Sequence, residues 1–304
     1  MILVTVFLLS CLTVAKSQRT MTEVVKRLYY NIENFDREWF LIGTLSDKYG
    51  HYQTFTSNKS IEDIDPSIKS GFDDGRKCVP DTLLCQRVTS YDDPASIANR
   101  KEVLLLIMEL FKNNYPDLRM FVVCCPDSLT RHYDHEIKNN RIFYPVDSIC
   151  RLNKHNFTVD LFSPSLAKMV ASYYNFDHNN LSNCVISSCG DIGYRGIINK
   201  DRFTTEAQKL SFLTGVFLTY GRRRDKDYSI FIPNSLSALN LCYDLLTEFE
   251  CTHIERDTMY YGPDLKCIER FPKNQELFFT PSAKLSKLMI LMYELTVALK
   301  SLIF

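Results

Sequence analysis

The sequence predicts a fold that mixes helices with a sheet, α/β or α+β: a mixed sheet flanked by helices, with an N-terminal helix and a disulfide-tied irregular segment in front of it. Three observations lead there. Apolar residues recur at three- and four-residue steps over several long stretches, which gathers them on one face of a helix. Between those stretches lie short continuous apolar runs such as Met120–Cys125, the pattern of a strand covered on both faces. The chain also has 11 cysteines behind or within an apolar leader, a density that suits crosslinks in an oxidising compartment.

The leader comes first. Met1 to Val14 is almost purely apolar and runs into Ala15-Lys16-Ser17 ahead of Gln18. Small residues at the first and third places of that tripeptide fit a signal-peptidase site, so residues 1–17 read as a signal peptide removed on export. The apolar run is too short to cross a bilayer as a folded helix. It lacks a basic start, and Leu8-Leu9-Ser10-Cys11 offers another reading: a lipoprotein site that leaves Cys11 as the lipidated first residue of a periplasmic or membrane-tethered protein.

Residues 18–94 form the N-terminal helix and loop-rich segment. Val24, Val25, Leu28, Ile32, Phe35 and Trp39 predict one helix over 20–46. From Gly50 to Asp93 the periodicity breaks at Asp65-Pro66, Asp73-Asp74-Gly75 and Val79-Pro80, giving a long irregular stretch stapled by Cys78 with Cys85. Residues 95–304 carry the core and pack with 18–94 as one unit. There a helix is predicted over Ser96–Asn113, strands at Met120–Cys125 and Phe157–Phe162, a helix through Leu166–Tyr173, and a short strand at Val185-Ile186. Thr204–Tyr220 reads as a helix capped by Thr204 or Thr205, with Glu206 in its first turn. A strand at Ser229–Ile232, a helix at Leu236–Phe249, and strands at Thr252–Arg256 and Lys266–Arg270 follow. Last comes an amphipathic helix with Leu285, Leu288, Met289, Met292, Leu295 and Leu299 on one face, and Lys284, Lys287, Glu294 and Ser301 on the other. Its charges and one-sided spacing predict packing on the core and no transmembrane span in the mature chain.

Charge narrows the partners. Lys and Arg number 36 and so do Asp and Glu, with neither sign segregated, which disfavours a nucleic-acid binder. The cysteines after Cys11 are even in number, and their pairing is not legible from sequence, beyond short loops expected at Cys78 with Cys85 and Cys184 with Cys189. Paired C-x-x-C spacing is missing, and no cofactor is predicted.

Several local patterns bear chemistry. Cys125-Pro126-Asp127-Ser128-Leu129-Thr130-Arg131 spells C-x5-R behind an apolar strand, superficially resembling the cysteine phosphatase loop. It has no Gly, Asp127 would repel phosphate, and an exported thiol is prone to oxidation, so it reads as a strand-end turn. His132 and His135, in His132-Tyr133-Asp134-His135-Glu136, would share a helical face and hold a metal with a third group such as His155. A polar surface segment explains them without any metal. Gly190-Asp191-Ile192-Gly193-Tyr194-Arg195-Gly196 holds three of the 10 glycines, letting a ligand approach the backbone within reach of Asp191, Tyr194 and Arg195. The competing reading is a tight turn beside Cys184 and Cys189. Arg222-Arg223-Arg224 follows the long helix as an anion or membrane-surface candidate, diluted by Asp225 and Asp227. Asn58, Asn156 and Asn180 begin glycosylation sequons.

The expectation is an exported, disulfide-stabilised binding or interaction protein. The alternatives are an extracytoplasmic hydrolase, with its site at Gly190–Gly196 or at His132 and His135, and a surface protein tethered through Cys11.

Overall fold

Every residue from Ser211 to Tyr220 is buried, and the rest of the fold is arranged around that stretch. The computed structural model describes residues 21–45, 101–124, 142–145, 157–176, 184–186, 192–194, 196–224, 227–233, 237–260 and 272–300. The leader with Cys11, the segment with Asn58, Cys78 and Cys85, the C-x5-R stretch, His132, His135, His155, Asn156, Asn180, Cys189, Asp191 and Arg195 lie outside these residues.

The predicted 20–46 helix is two helices. Residues 21–31 form α1 and Arg37–Thr44 form α2. The break has a local cause. Asn34 adopts φ 57°, a left-handed conformation that asparagine tolerates better than most residues. Asp36 then caps α2, its carboxylate accepting from the Glu38 and Trp39 N–H groups at 3.0 Å. Periodicity alone missed this, because the buried face of α1 (Met21, Val24, Leu28) continues through Ile32 almost in phase into Phe35 and Trp39.

Helix α3 (Lys101–Phe111) precedes β1 (Arg119–Cys124), which lies between β2 (Ile142–Pro145) and β3 (Phe157–Phe162) in a three-stranded sheet. Ser163 caps α4 (Pro164–Ala171) through the Leu166 N–H at 3.0 Å. Two short ladders follow: β4 (Tyr174–Phe176) pairs with β7 (Gly196–Ile198), and β5 (Cys184–Ile186) pairs with β6 (Ile192–Tyr194). Helix α5 (Glu206–Tyr220) leads into β8 (Gly221–Arg224) and β9 (Asp227–Pro233). Helix α6 (Ser237–Glu248), β10 (Thr252–Tyr260), β11 (Pro272–Thr280) and α7 (Ala283–Lys300) complete the described chain. The second sheet has the order β10-β11-β9-β8.

Among the described residues every strand pairing is antiparallel, which selects α+β from the two classes the sequence left open and replaces the mixed sheet expected there. The strand–helix alternation that suggested an α/β layer is real, but the chain doubles back through hairpins. β8 joins β9 across two residues, a link too short for the crossover a parallel pair requires. The partner of β10 is Pro272–Thr280; the expected strand at 266–270 falls outside the described residues. Arg222 and Arg223 belong to edge strand β8 and not to the end of the preceding helix.

Helix α5 has Thr205 as its N-cap, accepting from the Gln208 N–H at 3.2 Å, while Gln208 accepts in return from the Thr204 N–H at 2.8 Å. Its buried hydroxyls on Ser211, Thr214 and Thr219 donate to carbonyls one turn back, so the enclosed part of the helix leaves these groups bonded. Glycines set its closest approach. A Cβ on Gly215 would collide with the Phe40 carbonyl, and one on Gly43 with the Phe212 carbonyl, so α2 and α5 touch backbone to backbone. Trp39, stacked on Phe203 at 3.8 Å and edge-on to Tyr173 at 4.8 Å and Phe212 at 6.2 Å, fills the space beside this crossing.

Candidate interaction surface

Ser282 stands just before α7, and its carbonyl accepts from the Ser286 N–H at 2.9 Å. Leu285, Leu288, Met289, Leu291, Met292 and Leu295 are buried, as the sequence pattern requires of a helix on the core. No described helix is long and apolar enough to cross a membrane.

The opposite face of α7 is not purely polar. Ile290 is 47% exposed, Tyr293 44% and Val297 53%. Steps of three and four residues place them in one row along the helix. Two neighbours flank that row. On one side the Arg223 guanidinium of β8 lies over the Tyr293 ring, 5.4 Å from its centroid. On the other, Arg27 of α1 donates to Glu294 at 2.6 Å, an exposed ion pair that ties α1 to α7. One turn beyond Arg27 stands Tyr30, 89% exposed. Lys284 pairs with Glu206 at 2.6 Å, whereas Lys287 projects outward. The result is an exposed row of aliphatic and tyrosine side chains with a charged rim, a composition that suits contact with another surface.

A second concentration of polar and aromatic groups lies around Trp39. The Tyr173 hydroxyl donates to Glu38 at 2.6 Å, and the Arg202 guanidinium sits 4.3 Å over the Tyr173 ring while it donates to the Ser172 carbonyl. Burial first, and then the bond to the Glu38 carboxylate, push the Tyr173 hydroxyl well above the usual phenol range. Asp36 receives Gln208 Nε2 at 3.1 Å, and its own N–H donates to Ser211 at 2.9 Å. These donors and acceptors satisfy one another across α2, α4 and α5. The cluster works as a clasp that positions elements, with its tryptophan only 1% exposed.

Asp117 shows the same economy. Burial alone would raise its carboxyl, but hydrogen bonds from Ser165 and Ser163 outweigh it and hold the group below the ordinary carboxylate range. It braces the start of α4.

The sequence-predicted residues distribute as follows. Tyr194 ends β6, opposite Cys184 in β5; the structure brings those two backbones together. Asp191 and Arg195, flanking β6, and the histidines lie outside the described residues, as does Cys189. Arg222 lies 5.2 Å over the Phe231 ring, on the opposite face of the edge strand from Arg223. The arginine run is thus split by the strand's alternation and forms no single patch. Cys242 and Cys251 are buried thiols. Burial pushes the Cys251 thiol up, with hydrogen bonding to Ser282 acting the other way, which keeps it protonated and unreactive. Among the described residues no group of three His, Cys, Asp or Glu side chains is placed to hold a metal.

Sequence reasoning overlooked Ile290, Tyr293 and Val297. The signal was present: three large apolar residues on the face that also carries Lys287 and Glu294. No protein-family model, curated protein or solved structure matches this chain.

Proposed function

We propose that the chain is an exported, disulfide-stabilised protein that acts by surface contact, a binding or interaction protein outside the cytoplasm. One observation carries the contact reading: Ile290, Tyr293, Val297 and Tyr30 stay exposed on adjoining helices although a large apolar core is available to them. Scattered single apolar residues on a surface need no explanation, whereas a row with a charged rim supports a contact reading. The export reading is supported by the apolar leader, its small-residue cleavage pattern and the cysteine density.

Intact mass of the mature chain, with and without reductant and alkylation, tests the compartment. A chain beginning at Gln18, with most thiols protected until reduction and Cys242 and Cys251 alkylated only on unfolding, is the expected result. Met1 retained, with every thiol open to alkylation in the unfolded, unreduced chain, removes export and crosslinking together.

A further inference from the structure

We propose that the outward face of α7 is a two-fold self-association surface, occupied by the same face of a second copy of this chain. The inference rests on reading that face as a contact surface and adds the occupant. Ile290, Tyr293 and Val297 stand at i, i+3 and i+7, the a-d-a spacing by which one helix lies along another. With Ile290 at an a position, Lys287 and Glu294 both fall at e, one heptad apart and opposite in charge.

That arrangement is self-complementary. When two copies of α7 meet antiparallel about a two-fold axis, a packs against d and e lies beside e. Ile290 of each copy then meets Tyr293 of the other, and Lys287 of each meets Glu294 of the other, so one contact rule is satisfied twice. The Arg27–Glu294 pair already holds Glu294 on the outer side of α7, at a side-chain exposure of 54%. The chain's net charge is +0, so two copies approach without long-range repulsion. Three side chains, each about half exposed, fall well short of the roughly 800 Å² per partner of a standard stable interface, so the dimer is weak and concentration-dependent.

Sedimentation equilibrium of the mature chain over a wide concentration range tests this. Weight-average mass should climb from one chain toward two as concentration rises. Ile290→Glu combined with Val297→Glu should hold the chain monomeric throughout, with thermal unfolding unchanged because both side chains face outward. Lys287→Glu should weaken association roughly ten-fold through loss of two exposed pairs, and adding Glu294→Lys should restore it. A monomer at every concentration, or a dimer indifferent to these variants, overturns the inference. So does a monomer that binds phosphatidylcholine–phosphatidylserine vesicles through the same face. None of these results touches the export reading, which falls only with the mass measurement.

Discussion

Helices α5 and α7 have similar apolar content and opposite fates. In α5, ten consecutive residues are buried, and even its hydroxyls turn inward to its own carbonyls. In α7, one face is buried and the other displays Ile290, Tyr293 and Val297 to solvent. The difference lies in what each helix meets. Gly215 lets α5 approach α2 until the backbones touch, so it can be enclosed from several sides. Helix α7 lies over this layer, with Arg223 over Tyr293 and Arg27 on Glu294 at the sides of its outer face. Apolar content tells how much a helix can bury; its neighbours decide how much it does.

The largest blow to that comparison is Phe212→Ala. This ring is fully buried against Trp39 and Phe203, so truncation should cost about 3–5 kcal/mol in urea unfolding. A cost under about 1 kcal/mol would mean α5 is not the enclosed helix described. Gly215→Ala comes next. Its Cβ must push α2 away at the Phe40 carbonyl, which should cost about 1–3 kcal/mol, and the same substitution at Gly43 should behave alike. Equal stability to the native chain would show that the two helices stand further apart.

A smaller, conditional effect concerns Tyr173. Its folded pKa is raised, so its stabilising contribution is complete below the unfolded value near about 10 and is lost as pH rises through the folded value. Stability should therefore decline in alkali above about pH 10, and Tyr173→Phe should flatten that decline while costing some stability at neutral pH through the lost bond to Glu38. An identical alkaline slope in both proteins would remove Tyr173 as a contributor. The smallest effect should come from Ile290→Glu, within about 0.5 kcal/mol of native by thermal or urea unfolding, because that side chain is about half exposed on the outer face of α7. A large loss there would place α7 in the interior, like α5, and erase the contrast.

Much of the helical framework was legible beforehand because a one-sided apolar period is a local property. The cap of α5 at Thr205, the core face of α7 and the central strand near Met120 all follow from residues within a turn or two of each other. The α1–α2 break was not legible, since Asn34 and Asp36 act by conformation and capping and leave the apolar phase nearly intact. Nor were β6, β7 and β8, strands of three or four residues whose glycine and arginine content suggests a loop, even where the partner strand is a near neighbour in sequence, as β5 is for β6 and β9 is for β8. The contact face of α7 was missed for a related reason. Ile290 and Val297 look like core residues when judged one at a time, and only their place beside Lys287 and Glu294 turns them outward.

The sequence by itself determined an apolar N-terminal run, a cysteine-rich chain of balanced charge, and helices whose inward faces are written in their spacing. Only tertiary structure decided the antiparallel pairing of the strands, the glycine-mediated contact of α2 with α5, and which apolar residues of α7 face water. The physical reason is range. Helix formation and capping act between residues a few positions apart, whereas strand pairing, helix approach and exposure depend on which distant segment occupies the neighbouring space.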